Sequence, residues 1–194
     1  GDPYLRDYNF EAGLVERVIC DMKRGKAAGL NNLTAEHLQH CHYSIYVVLA
    51  KLFNLIVLTG HIPSGFGYSY TVPIPKQNTN VHSKAYGVDD FRGISISPVL
   101  SKVFEYCILA RYRRYFNSSD NQFSYKRKIG CTTVLHTVRC VVDHYVKNGS
   151  TVNLCALDLS KAFDRLNHHG LYIRLMKRCV PVQLLRIIEN WFSI

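Results

Sequence analysis

The nine residues TVNLCALDL, 151 to 159, are apolar on both alternating faces except at Asn153 and Asp158. A strand with two apolar faces has to be covered on both sides, so the run predicts a central strand of a sheet. Helices are the natural cover, which predicts an α/β (α+β) fold. The rest of the chain supplies them. Phe10, Leu14, Val18 and Met22 recur every four residues, with Asn9 placed to cap the helix they define. Thr34 opens a long helical stretch whose stripe runs through Leu38, Cys41, Ile45, Val48, Leu49, Leu52, Phe53 and Ile56 to a stop at Gly60, with Ser44 as a point of division.

Two shorter strands are expected near the middle. In YSYTVPIPK, Tyr70, Val72 and Ile74 alternate with smaller residues, and Pro73 and Pro75 deny two ladder donors, which places the strand at an edge. FRGISI follows as a second strand. Ser97 then reads as a helix cap with Pro98 at the first helical position, and Leu100, Val103, Phe104, Cys107 and Ile108 form the stripe behind them. Val134, Val138, Val141, Val142 and Tyr145 define a further amphipathic helix closed by Asn148 and Gly149, and two last helices are separated by Pro181.

The charge balance bounds the partners. Twenty-four Lys and Arg against fourteen Asp and Glu give +10, which points to nucleic acid or an anionic surface, while 47% apolar residues over 194 positions are enough for a packed core. No bilayer span is expected, because the longest apolar candidate, YSIYVVLAKLFNLIVL, is interrupted by Lys51 and Asn54 and falls short of the ~18 clean residues required. Seven cysteines without fixed short spacing read as reduced thiols of an intracellular protein, nuclear or cytoplasmic. The start at GDPYLRDY and the stop at WFSI inside a helical pattern suggest a piece of something longer, with an unpaired sheet edge and apolar surface around Trp191 and Phe192.

Several constellations carry no chemistry. RGKAAG lacks the spacing of a phosphate loop. The group EHLQHCH, with His37, His40, Cys41 and His42, fits no zinc-protease order. His136, Cys140 and His144, with Cys131 upstream, sit at four-residue steps, but two histidines eight residues apart are ~12 Å apart along a helix, so one ion cannot hold both and the face reads as solvated. Asp158 differs, since a carboxylate ending a central strand is costly to bury without a partner. It is either a metal ligand or an acceptor for backbone N–H groups of the turn SKAF that follows it.

At this point ordered motifs add what spacing cannot. ALDLSKAFDRLNH resembles the first carboxylate motif of the reverse transcriptases of non-LTR (LINE-type) retrotransposons. Upstream, KAAGLNNLTAEHL, SYTVPIPK, DDFRGISISPVLSKVFE and NQFSYKRKIGCTTVL resemble that family's preceding segments in the same order, so the likeness covers roughly residues 20 to 194. It implies an incomplete right-hand polymerase, with an N-terminal helical segment over 1–68, fingers over 69–147 and the start of the palm over 148–194. It also implies roles. Asp158, with the backbone carbonyl of Leu159, would bind catalytic Mg2+. Phe163 would be the steric gate under the sugar, and Arg92 and Lys76 would contact the triphosphate. RNA template, DNA primer and deoxynucleoside triphosphates are the implied partners. The basic, tyrosine-bearing segments ARYRRYF, with Arg111, Arg113 and Arg114, and YKRK, with Lys126, Arg127 and Lys128, suit a nucleic-acid backbone, where cations meet phosphates and rings can stack.

The chain departs from the family pattern in two places: Leu30, Asn31 and Asn32 stand where Pro-Asp-Gly is common, and Gly93 follows Arg92 where proline is common. A larger gap concerns the metals. Two divalent ions about 4 Å apart need several anions around them, and the family's later Asp-Asp hairpin does not occur after Asp158, where only Asp164 and Glu189 remain. The chain alone is therefore expected to be inactive. The competing expectation is a module, or a remnant, that binds RNA or DNA without chemistry.

Overall fold

The structure is a computed structural model, and it describes residues 9–76, 87–126, 129–159, 162 and 165–194. Seven helices and one hairpin are formed among them: α1 (Ala12–Cys20), α2 (Ala35–Gln39), α3 (Ser44–Thr59), β1 (Tyr70–Pro75), β2 (Phe91–Ile96), α4 (Val99–Arg111), α5 (Cys131–Lys147), α6 (His168–Lys177) and α7 (Val182–Phe192). This mixed helix and antiparallel sheet is consistent with the α/β class. The chain divides into two compact units, 1–115 with 172–194, and 116–171.

The first unit holds the core. Phe104 of α4 is fully buried and touches four rings: Phe53 at 5.0 Å, Phe10 at 6.0 Å, Phe66 at 6.2 Å, and Trp191, stacked on it at 5.6 Å. Burying each such ring is worth roughly 1.5–3 kcal/mol. Trp191, expected at an apolar surface, packs against Phe104 and Phe66 from α7 but stays half-buried, and Phe192 beside it is exposed. Cys107, one turn past Phe104, is fully buried, and burial pushes its thiol up to about 12. It is a small apolar filler with no access to solvent.

Helix ends follow local chemistry with small shifts. Thr34 caps α2 in a capping box whose return partner is His37, and Gly60 ends α3 at φ 71°, where a residue with a Cβ would be strained. α1 starts later than expected, with Glu11 rather than Asn9 at its cap. Asn9 and Phe10 instead meet Asn54 of α3, whose Oδ1 accepts the Phe10 N–H at 2.6 Å and whose amide donates to the Phe10 carbonyl at 3.0 Å. The buried stripe of α1 is accordingly Val15 and Ile19, one position round from the expected one. At α4 Pro98 is itself the cap and Val99 the first helical residue, so Ser97 lies outside the helix. On α3, Ile45 and Val48 face solvent while Tyr46, Leu49, Ala50, Phe53, Ile56 and Val57 are buried.

The second unit is different. α5 forms as expected and is closed by Asn148 and by Gly149 at φ 76°, but none of its residues is buried. The predicted central strand does not form. Residues 151–159 have no regular structure, and Leu154, Leu157 and Leu159 are 71%, 91% and 78% exposed. A strand exists only by pairing, and the described residues of the chain provide no neighbour for this one.

Candidate nucleotide and nucleic-acid site

The hairpin is the best-defined part of the candidate site. β1 and β2 pair antiparallel, with Tyr70 opposite Ile96, Val72 opposite Ile94 and Ile74 opposite Arg92. One further rung, from the Lys76 N–H to the Asp90 carbonyl at 2.8 Å, extends the ladder past the last strand residue. Side chains alternate, so Lys76 and Arg92 lie on the same face as diagonal neighbours, about 7–8 Å apart at their Cα atoms. Both are exposed. By the same alternation Asp90 stands directly opposite Lys76 on that face, Val72, Ile74 and Ile94 continue it as an exposed apolar strip, and the opposite face carries the Thr71–Ser95 hydroxyl pair at 3.0 Å. Two cations beside an apolar strip are chemically suited to a phosphate group next to a flat or apolar body.

The two departures from the family pattern are absorbed locally. Asn32 adopts φ 57°, the left-handed conformation that a turn glycine would supply and that asparagine tolerates better than most residues. Gly93 lies so close beneath Thr71 that an added Cβ would approach its Cγ2 to 2.9 Å. The absence of a side chain at 93 therefore fits the neighbouring strand.

Of the basic segments, Arg111 is exposed in the last turn of α4, and Arg113 and Arg114 follow in a single 3-10 turn. Their tyrosines are not open for stacking: Tyr112 is buried, and Tyr115 is half-buried with the Arg114 guanidinium 4.8 Å over its ring. Arg111 also borders a shallow cleft shared with Arg17 and Glu11 of the α1 end, a second guanidinium that the sequence pattern did not flag. In the second unit Lys126 donates to the Ser119 carbonyl at 2.6 Å and is half-buried, so its ammonium braces its own loop. Arg127 and Lys128 lie outside the described residues.

Asp158 and Leu159 are exposed, and Phe163 and Asp164 lie outside the described residues. A carboxylate and an adjacent backbone carbonyl are the right donors for a hard cation, but such an ion takes about six oxygens. No group of three His, Cys, Asp or Glu converges among the described residues. The histidines near the N-terminus have structural duties instead: His37 Nδ1 lies 2.9 Å from the Thr34 hydroxyl, and His42 Nδ1 lies 3.0 Å from that of Ser44. His136 and Cys140 stand 3.7 Å apart on the exposed face of α5. No described helix is long and apolar enough to cross a membrane.

The described molecule is thus a mixed α/β chain whose hairpin carries Lys76 and Arg92 on one face. Comparison with known proteins gives that description a lineage. No family model matches the chain. It is 28% identical over 146 residues, 75% of its length, to the retrovirus-related Pol polyprotein of a type-2 retrotransposable element of Drosophila melanogaster. It is 25% identical over 186 residues, 92% of its length, to the RNA-directed DNA polymerase of the mobile element jockey of Drosophila funebris. It is also 24% identical over 95% of its length to the probable RNA-directed DNA polymerase of the transposon X-element of Drosophila melanogaster. The resemblance to RNA-directed DNA polymerases of non-LTR retrotransposons therefore extends over most of the chain. The chain spans 13%, 19% and 20% of those three relatives, respectively.

Proposed function

We propose that this chain is part of an RNA-directed DNA polymerase of a non-LTR retrotransposon, comprising the fingers, over 69–147, and the start of the palm, from 148. The observation that carries the reading is the coincidence of two independent facts. Relatives bearing that activity in their names align with more than nine-tenths of the chain, and the hairpin register brings Lys76 and Arg92 to one exposed face. In this reading those two cations hold the triphosphate of an incoming deoxynucleotide. Phe163 screens its sugar. The arginines at 111, 113 and 114, with Lys126, Arg127 and Lys128, steer and hold the template and primer through their phosphates.

Asp158 and the Leu159 carbonyl are the first oxygens of a Mg2+ site. When bound, magnesium would supply charge to the attacking hydroxyl and the leaving pyrophosphate. The chain's own part is to present those oxygens. The further carboxylates have to come from residues beyond those in this sequence, so the chain by itself neither holds the ions firmly nor polymerises. Primer extension on an RNA template with magnesium and all four deoxynucleotides checks this directly. No extension by the chain alone is expected, whereas extension that Asp158→Asn abolishes would show the site to be complete within these residues.

A further inference from the structure

We propose that His136 and Cys140 of α5 form a two-point site for one divalent ion of the zinc class, separate from the magnesium oxygens at Asp158. The proposal stands independently of the polymerase reading. The polar side of α5 carries His136, Cys140 and His144 at successive four-residue steps. One ion cannot hold both histidines, which lie ~12 Å apart along the helix. It can hold the cysteine and one of them.

The structure selects which one. Cys140 Sγ stands 3.7 Å from His136 Nδ1 and 3.8 Å from His136 Nε2. His144, one turn the other way, has its ring set edge-on to that of Tyr145 at 5.4 Å. Zinc binds thiolate sulfur at about 2.3 Å and imidazole nitrogen at about 2.0–2.1 Å, so at a tetrahedral angle its sulfur and nitrogen stand about 3.6 Å apart. The spacing of His136 and Cys140 is thus already that of a chelate. A thiol–imidazole hydrogen bond alone would aim the sulfur at one ring nitrogen, whereas here it is nearly equidistant from both. Both side chains are exposed, so the ring has room to turn either nitrogen to an ion.

The donors and their place set the kind of ion. A thiolate with an imidazole suits zinc, and magnesium takes oxygens instead. Asp143, on the same side of the helix, is paired with Arg139 at 3.9 Å, so water fills the two remaining positions of a tetrahedron. His136 and Cys140 lie opposite the stripe of Val134, Val138, Val141, Val142 and Tyr145. Whatever covers that stripe leaves the site open to solvent. An ion bridging the two residues also holds closed one turn of a helix that has no buried residue.

The test is titration of the chain, reduced with a phosphine, first with Co2+ and then with Zn2+. A thiolate-to-cobalt band in the near ultraviolet is expected to saturate at one ion per chain and to be displaced by zinc. Cys140→Ser should remove the band. His136→Gln should weaken zinc binding by at least the ~10-fold that loss of even an outer partner of a ligand costs, and His144→Gln should leave it unchanged. All three positions are exposed, so none of these changes disturbs packing. Hydrogen exchange gives a readout besides binding: zinc should slow exchange of the α5 amides in the wild-type chain and not in Cys140→Ser. Binding that Cys140→Ser leaves unaltered, or no binding at micromolar zinc, overturns the site. Loss in His144→Gln rather than in His136→Gln overturns the choice of partner, and one ion per two chains overturns the single-chain site in favour of one shared between copies.

Discussion

The helices around Phe104 and the segment 151–159 are about equally apolar in sequence, yet one is a core and the other is bare. Phe104 gathers Phe10, Phe53, Phe66 and Trp191 from four separate stretches of chain. Leu154, Leu157 and Leu159 have no such company. A helix satisfies its own backbone and needs only a surface to lean on, whereas a strand needs another strand before its side chains can be buried. Apolar content thus decides what can be buried, and available partners decide what is.

The largest expected difference between the two regions is in stability. Phe104→Ala should cost about 3–5 kcal/mol, because it leaves a cavity under four rings. Val141→Ala on the exposed face of α5 should change stability by less than ~0.5 kcal/mol. Trp191 is the sole tryptophan and stacks on Phe104, so its fluorescence during denaturant unfolding reads the first unit directly. Equal effects of the two substitutions would erase the contrast.

A smaller effect is expected at Gly60. Its φ of 71° costs a residue with a Cβ roughly 1–2 kcal/mol, and that Cβ would also come within 2.8 Å of the Arg186 side chain of α7. Gly60→Ala should lower the midpoint of the same fluorescence transition, while Gly130→Ala, in open space at the start of α5, should leave it in place.

The smallest effect is local. The Gly25 N–H, with further hydrogen bonds, holds the Glu36 carboxyl below its ordinary value of 4.5. A depressed carboxylate contributes its hold above the unfolded value and loses it as pH falls through the folded one. The Gly25 amide resonance should therefore be constant from neutral pH down to about 5 and shift only below the usual glutamate range. In Glu36→Gln that acid shift should be absent.

Much of the fold was legible because its signals are short-range. The Thr34 box, the Gly60 and Gly149 stops, the β2 limits at Phe91 and Ile96, and the break at Pro181 all depend on a few neighbouring residues. The errors were tertiary. Asn9 went to Asn54 instead of capping α1, and 151–159 had no strand to join among the described residues. In the site, composition marked Lys76 and Arg92 as cations and the family likeness gave them a role, but only the hairpin register shows that they share a face. The hold of Gln39, Glu36 and Tyr70 on the loop joining α1 to α2 was invisible, because they look like ordinary polar residues until their partners are known.

The most direct measurement is complementation of primer extension. A longer chain of the same protein that continues past residue 194 to an Asp-Asp motif should extend a DNA primer on an RNA template, and Asp158→Asn in it should abolish extension while leaving RNA binding intact. Unchanged extension by that variant would contradict the assignment of Asp158 as a metal-binding carboxylate.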